Sequence, residues 1–389
     1  MFGKHRIIAL FLLLTLILSF TPFVQADEEV SLSQFMTPPP AAEGQDSVMG
    51  VADQADSPAV TPEPAPVDAL PDGTVQIVIT AAGDTTIGGD VTKRGDSIFD
   101  KEYKKQDMDP NFICRNVQHI FEHDDMTIVN FEGTLTTAPV YKTKNQFVFS
   151  APPEYVKLLT NGSIEAVALE NNHVMDHGEA GLAETKATLD SAGIVWSDSK
   201  NMGVYKVKGV SIAMLTYQQY RDKVSELLVQ VPLDVARAKA AHDIVIVSFH
   251  WGQELDYKPN QNQINLGRAT IDAGADLVLG HHSHRINPIE RYKDKYIVYS
   301  LGNFSFAGNT KPSDMSTFLF QVRFDVKNGQ VKSDAFRIIP SRISSKTDYN
   351  DFAPTPFTDQ RLIDNVINML KSNGKNLQYA VDFYPVDWE

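Results

Sequence analysis

The sequence predicts an α/β domain, and three observations predict it. Short apolar runs rich in Val and Ile recur from Val75 onward, helical patterns lie between them, and each run ends in a polar segment carrying acids, amides or histidines. Continuous apolar runs of this length belong to strands of a sheet covered on both faces. Their alternation with helices is the layered α/β pattern.

In order, the strands are "VQIVITAA" (75–82), "MTIVNF" (126–131), "IEAVAL" (164–169), "DIVIVSF" (243–249) and "DLVLG" (276–280). "DPNFICRNVQHIFEHD" (109–124) reads as a helix: Asp109 caps it, Pro110 fits its first position, and Ile113, Val117, Ile120 and Phe121 share one face. "GEAGLAETKATLDSAG" (178–193) puts Leu182, Thr185 and Leu189 on one face and stops at Gly193. "NQINLGRATIDAGAD" stops in the same way at Gly274, and "RYKDKY" (291–296) is a hairpin turn. Beyond Ser316 come a hairpin turning at Asn328-Gly329 and an amphipathic helix starting at Thr358 or Asp359.

Ahead of the domain, "MFGKHR", the apolar run "IIALFLLLTLILSF" and "TPFVQA" follow the pattern of a secretory signal cut after Ala26, or of a retained anchor. Residues 27–72 are rich in Pro, Ala and acids with no periodic apolar face, as expected of an extended tether. The domain is expected over 73–340, with an extension over 341–389 whose helix packs on it. The chain of 389 residues carries a formal charge of −14, and removal of Lys4 and Arg6 with the signal gives −14 − 2 = −16. Such a balance argues against nucleic acid as a partner. Cys114 is the one cysteine, so no internal disulfide can form.

The polar segments after the strands concentrate chemistry. They deliver Asp84; Glu132, shortly after Asn130; Asn171, Asn172, His173 and Asp176; His250 and Glu254; and His281, His282 and His284. Singly, each is an ordinary turn or cap residue. At five strand ends together they point to one site, at the edge where open α/β sheets assemble theirs. Imidazoles mixed with carboxylates and amide oxygens suit Mn, Zn, Fe or Ni, one ion or two, better than Ca or Mg. Glu254 either orients the His250 ring or caps a surface loop, and Asp176 is placed to fix the His173 tautomer. Ser300 and Asn303 line the site or belong to a strand and turn, and Arg285 and Arg291 are offered to an anionic substrate.

The order "GDTTIGG", "NFEGTLT", "ENNHVMDHG", "HWGQE", "DAGADLVLGHHSHRINPIERY" and "YSLGNFSF" resembles the CapA (PGA_cap) family of bacterial poly-γ-glutamate capsule proteins, from about Val75 to Phe306. That family is similar to the calcineurin-like metallophosphoesterases, which implies a four-layer α/β/β/α sandwich and a divalent metal centre. On this resemblance Asp84, Glu132, Asn172, His250, His282 and His284 are metal ligands. His173 protonates a leaving group, with Asp176 and Glu254 in support. Asn130, Arg285, Ser300 and Asn303 face substrate, and His281 is spare. One departure stands out: the phosphoesterase D-x-H becomes Asp84-Thr85-Thr86, which removes an imidazole.

The function expected is synthesis, export or attachment of an anionic capsule polymer by an exported protein with a metal-dependent hydrolase or transferase site, in contact with a membrane synthase complex. The alternatives are a general extracellular metallophosphoesterase acting on phosphoesters, and a non-catalytic polymer-binding subunit.

Overall fold

A computed structural model describes residues 69–92, 95–140, 147–219 and 223–388. The expected signal and nearly all of the tether lie outside the described residues. In chain order the strands are β1 (Val75–Thr86), β2 (Gly89–Asp90), β3 (Met126–Phe131), β4 (Thr134–Leu135), β5 (Phe149–Ala151), β6 (Ala166–Ala168) and β7 (Val195–Ser197). They continue as β8 (Gly203–Val207), β9 (Val210–Gln218), β10 (Ile244–His250), β11 (Leu277–His281), β12 (Ile289–Tyr292), β13 (Lys295–Val298) and β14 (Asn303–Phe306). The last are β15 (Ser316–Lys327), β16 (Gln330–Arg342) and β17 (Thr355–Pro356). The helices are α1 (Ile98–Lys105), α2 (Gln118–Phe121), α3 (Lys157–Thr160), α4 (Gly178–Ser191), α5 (Val224–Ala241), α6 (Gln261–Asp272) and α7 (Gln360–Gly374).

One sheet runs β17-β16-β15-β1-β3-β6-β7, with β14 also paired to β1, and a second runs β12-β13-β11-β10-β9-β8. The pleat sends alternate side chains to opposite faces, and both faces of both sheets are apolar. Ile77 and Ile79 of β1 meet Ile244 and Ile246 of β10 and Leu277 and Leu279 of β11 in a core between the sheets. On the outer face of the first sheet, Ala82, Val129 and Phe131 pack with Phe99, Tyr103 and Leu189. On that of the second, Val245, Val247 and Phe249 pack with Val231 and Val235 of α5 and Leu266 of α6. The result is helix, sheet, sheet, helix, the four layers expected. Each fully buried Leu, Ile or Phe contributes about 1.5–3 kcal/mol to holding them together.

β1 changes partners along its length. From Val75 to Ala81 it runs antiparallel to β15, and at Asp84 it lies parallel to β14, opposite Asn303. The switch needs Gly83, where a Cβ would stand 2.1 Å from the Gly302 carbonyl oxygen. That same carbonyl accepts from the Asp84 N–H at 2.9 Å. The Asn328-Gly329 and Lys293-Asp294 turns have positive φ at both positions, as two-residue hairpins require.

One expected helix forms differently. Residues 109–117 make successive i→i+3 turns, and only Gln118–Phe121 is α-helical. The Asp109 carboxylate accepts from the Asn111 N–H at 3.0 Å, the bond a helix cap makes, but the turns that follow close three residues apart instead of four. Phe112, Ile113, Cys114 and Val117 are buried while Arg115 and His119 are exposed, so the apolar face is inside as expected although the backbone is not α-helical. α1, β9 and α5 were not anticipated; α1 carries a Ser97/Asp100 capping box. In the extension, Val366 and Leu370 of α7 are buried in the core between the sheets, while β16 runs two residues past the expected boundary, to Arg342.

Candidate metal centre

Strand register sets the site out before any side chain is considered. In the first sheet Asn130, Asp84 and Asn303 are adjacent on β3, β1 and β14. In the second, His250 and His281 are adjacent on β10 and β11. Asp84, Asn130, His250 and His281 lie at or near the C-terminal ends of parallel strands and Asn303 at the start of β14, and the polar turns complete both rows. The Glu132 N–H donates to the Thr85 carbonyl at 2.9 Å, and the Thr86 hydroxyl donates to the Glu132 carbonyl at 2.8 Å. Thr86, which stands where the D-x-H imidazole would be, is thus a backbone brace for Glu132. After β11 the chain bends through His282 at φ +91° and His284 at φ +54°, a conformation non-glycine residues adopt at a cost of about 1–3 kcal/mol each and one concentrated at functional sites.

Asp84 is the hub. The Asn130 amide donates to Oδ1 at 2.8 Å, and the His282 N–H lies 3.3 Å from Oδ2. His281 Nδ1 stands 3.4 Å from Oδ1 and His284 Nδ1 3.1 Å from Oδ2. Burial alone would push this carboxyl up, but the facing His281 and His284 hold it well below the usual carboxylate range. His250 is fixed from two sides. Its Nε2 donates to the Asn172 Oδ1 at 2.8 Å, and Asn130 Nδ2 lies 3.4 Å from its Nδ1. Burial first, and His282 beside it, hold the ring well below its ordinary pKa, so it is the neutral, metal-binding form. The His250 and His282 ring centres are 4.4 Å apart, and His282 is lowered too, by burial and by His284.

Glu132 is the exception among these groups. It is 1 % exposed, and neither carboxylate oxygen has a hydrogen-bond partner. Burial pushes it up to about 7, with Asp84 adding to the effect and His284 and His173 opposing it. His284 moves the other way from His250 and His282. Burial works against its charge, yet Glu132 and Asp84 raise it to about 9. Ligand atoms of Asp84, Glu132 and His284 all lie within 4.8 Å of one another. His173 closes the ring: its Nδ1 bonds Asp176 Oδ2 at 2.7 Å, and its Nε2 is 3.9 Å from Glu132 Oε1. The same Asp176 oxygen accepts from the Phe149 N–H at 2.8 Å, and Phe149 packs on the His173 ring at 4.5 Å.

Not every sequence-assigned residue takes the role expected of it. Both nitrogens of His250 are taken by amides, so Glu254, which is exposed, does not orient that ring; it acts through space on Glu132, His282 and His284. Arg285 is engaged by its own loop and by Ser313. Its guanidinium donates to the His284 carbonyl at 2.8 Å and to Ser313 at 3.1 Å. Ser300 accepts from Ser283 at 3.0 Å and from the Gly302 N–H at 3.1 Å, bracing the loop instead of lining it. Arg291 pairs with Asp294 on the β12–β13 turn. Asn303 accepts from His284 Nδ1 at 2.9 Å and orients that ring, and Asn130 links Asp84 to His250; both serve candidate ligands first.

His281, read as spare, is 1 % exposed beside Asp84 with neither ring nitrogen hydrogen-bonded. The signal was available: "DLVLG" runs on without a break, so His281 is the last strand residue and not the first loop residue. Asn171 was also passed over. It donates to the Phe131 carbonyl at 2.8 Å and accepts from the His173 N–H at 3.1 Å, which ties the two turns together.

The residues fit a divalent metal. A buried carboxylate without donors, a second carboxylate, and clustered imidazoles, two of them held neutral, form the donor set such an ion takes. Comparison with known proteins agrees on kinship. The chain is 32% identical over 292 residues to the PGA biosynthesis protein CapA of Bacillus subtilis (strain 168), covering 69% of this chain and 73% of that one. It is 31% identical over 239 residues to the capsule biosynthesis protein CapA of Bacillus anthracis, covering 55% and 58%. Among solved structures, the calcineurin-like phosphoesterase YfkN from Bacillus subtilis aligns at 14% identity with a TM-score of 0.42, over 77% of this chain and 99% of that one. With residues 78–307 matching it, the chain belongs to the bacterial capsule synthesis protein family PGA_cap.

Proposed function

We propose that this chain is exported and acts at the cell surface in synthesis, export or attachment of an anionic capsule polymer, poly-γ-glutamate, through a divalent-metal hydrolase or transferase centre. The names of its CapA relatives support the pathway. One observation carries the chemistry: Glu132 is a buried carboxylate whose oxygens have no donor. A bare buried carboxylate costs several kcal/mol unless a cation answers it.

Asp84, Glu132 and His284 would hold one ion, and His282 with His250 and Asn172 would hold a second once the His250–Asn172 hydrogen bond gives way to it. A divalent ion there lowers the pKa of a bound water toward neutrality and polarises a carbonyl or phosphoryl oxygen. The protein's own residues do the rest. Asp176 holds the proton on His173 Nδ1, which leaves Nε2 turned toward Glu132 to give or take a proton. Asn130 fixes Asp84 and the His250 ring together. Phe149 on His173 and Phe306 on His284, each with ring centres 4.5 Å apart, keep water from the flanks of both imidazoles.

Elemental analysis of the purified protein after exposure to Mn, Zn, Fe or Ni is the first test, followed on the same sample by turnover of a bis-aryl phosphodiester and of γ-linked glutamate oligomers. Bound metal and activity that His282→Ala removes are expected. A protein that takes up none of the four ions has no such centre. Polymer output unchanged by a folded, metal-loaded His173→Ala variant would leave only the non-catalytic reading.

A further inference from the structure

Away from the metal centre, a cavity of about 770 Å³ opens on the outer face of the first sheet. Its floor comes from β1, β15 and β16 through Val78, Gln321 and Arg337, and its walls include His119 on α2 and Trp388 near the chain's end. Val78 precedes Asp84 by six residues on β1, which separates the cavity from the centre by about 20 Å of strand.

Arg337 differs from two other arginines of the described residues. Arg323, its neighbour across the hairpin, is paired through two nitrogens with Asp334, and Arg268 with Glu290. Arg337 instead donates Nε to the Gln321 amide oxygen at 2.7 Å and lies under the Trp388 ring, 4.9 Å from its centre. Among the described residues the acid that acts on it is Asp387, through space. Its guanidinium, which lines the groove, is thus a planar donor fork already oriented by an amide and a ring. That fork matches a carboxylate in two-point geometry. On a chain of net charge −14, a half-buried guanidinium lining a groove with no carboxylate bonded to it is a local positive charge. It attracts acidic ligands that the rest of the surface repels.

We propose that this groove is a second site, separate from the metal centre, that holds a carboxylate of an acidic polymer chain on Arg337. The choice of γ-linked glutamate as that chain rests on the capsule reading above; the carboxylate recognition does not. Anchoring a polymer here keeps it at high local concentration near a centre about 20 Å away.

Calorimetric titration of the full chain with a short γ-linked glutamate oligomer, with α-linked oligoglutamate and with inorganic phosphate tests the proposal. Oligoglutamate is expected to bind, and Arg337→Gln to weaken it roughly tenfold or more, the cost of losing a hydrogen bond to a charged group. Arg337→Lys, which keeps the charge without the fork, is expected to fall between them, with thermal melts showing all three proteins folded. His284→Ala is expected to leave this binding unchanged while abolishing metal uptake. Binding of both oligomers with Arg337 dependence, but no effect of the chain on capsule polymer, would overturn the capsule reading and keep the site. Oligomer binding indifferent to Arg337→Gln, or lost in His284→Ala, would overturn the site. So would an Arg337 response to phosphate alone.

Discussion

Carboxylates cluster at both ends of β3, and the two ends treat them differently. At its start, Asp124 accepts from the Thr127 hydroxyl at 2.7 Å and Asp125 from the Val78 N–H at 2.9 Å, with Lys208 alongside. Glu165 accepts from the Thr127 N–H at 2.7 Å. Just past its finish, Glu132 accepts from nothing. Acids at the first end complete the fold's own hydrogen bonds and tie β1, β3 and β6 together. The acid at the second end is positioned by its backbone, through Thr85 and Thr86, while its oxygens are kept bare. A buried carboxylate in that condition calls for an explanation, and the ion proposed above is one that supplies it.

The largest effect expected follows from that contrast. Glu132→Gln removes a ligand and a buried charge together. Metal affinity should fall by more than the roughly 10–100-fold that loss of an outer-shell partner costs. The metal-free protein should gain stability, by up to about 3 kcal/mol above pH 7. Elemental analysis and thermal melts in chelator read the two effects separately. Lower stability of the variant in chelator would show that Glu132 belongs with the structural acids after all.

Next in size is a pH dependence. Glu132 and Asp124 are both held near pH 7 by burial, above the ordinary values of 4.5 and 3.8. Because the fold raises these pKa values, the stability they contribute is complete below about pH 4 and is lost as pH rises through 7. Metal-free protein should therefore lose roughly 2–4 kcal/mol per group between pH 4 and pH 8. Saturating metal should erase the Glu132 share, and Asp124→Asn the other. A melting curve series indifferent to metal across this range would break the distinction between the ends. A smaller effect isolates the structural end: Lys208→Ala should cost about 1 kcal/mol of stability, as expected for a half-buried pair, and leave metal content at wild-type levels.

The strands and their polar ends were legible because both signals are local. A run such as "DIVIVSF" declares its burial, and the residue after it is at the sheet edge by construction. Directions of side chains were not legible. Glu254 follows His250 by four residues, the spacing that suggested support, yet the chain turns at Gly252, with φ +82°, and sends the carboxylate to solvent. Arg285 stood beside the histidines in sequence and was read as facing substrate, but the left-handed turn at His284 swings it onto the loop's own backbone. His281 was misread for the opposite reason. One more residue of strand pairing, opposite His250, buries it beside Asp84. The Asp109 segment shows a related limit: its periodicity marks which side is buried, yet cannot tell successive i→i+3 turns from an α-helix. The contact that seats His281 beside Asp84 joins strands about 200 positions apart, as does the one between Asp84 and the His282 N–H.

The last prediction tests whether orientation, and not identity alone, makes His284 a ligand. Its Nδ1 faces Asn303 Oδ1 at 2.9 Å and Asp84 Oδ2 at 3.1 Å, so the ring is held by acceptors on one side and leaves Nε2 for an ion. Asn303 reaches it because β14 lies beside β1 in the register that Gly83 permits. Asn303→Ala removes one acceptor and leaves every proposed ligand in place. Metal affinity should fall about tenfold, the lower end of the range for an orienting partner, with melting in chelator little changed. Asn303→Asp, which supplies an acceptor of the same shape, should hold the affinity at or above wild type, because an anionic acceptor makes the imidazole a stronger donor to the ion. Wild-type affinity in Asn303→Ala would mean that Asp84 alone orients the ring, and β14 would then matter to the centre only through its backbone.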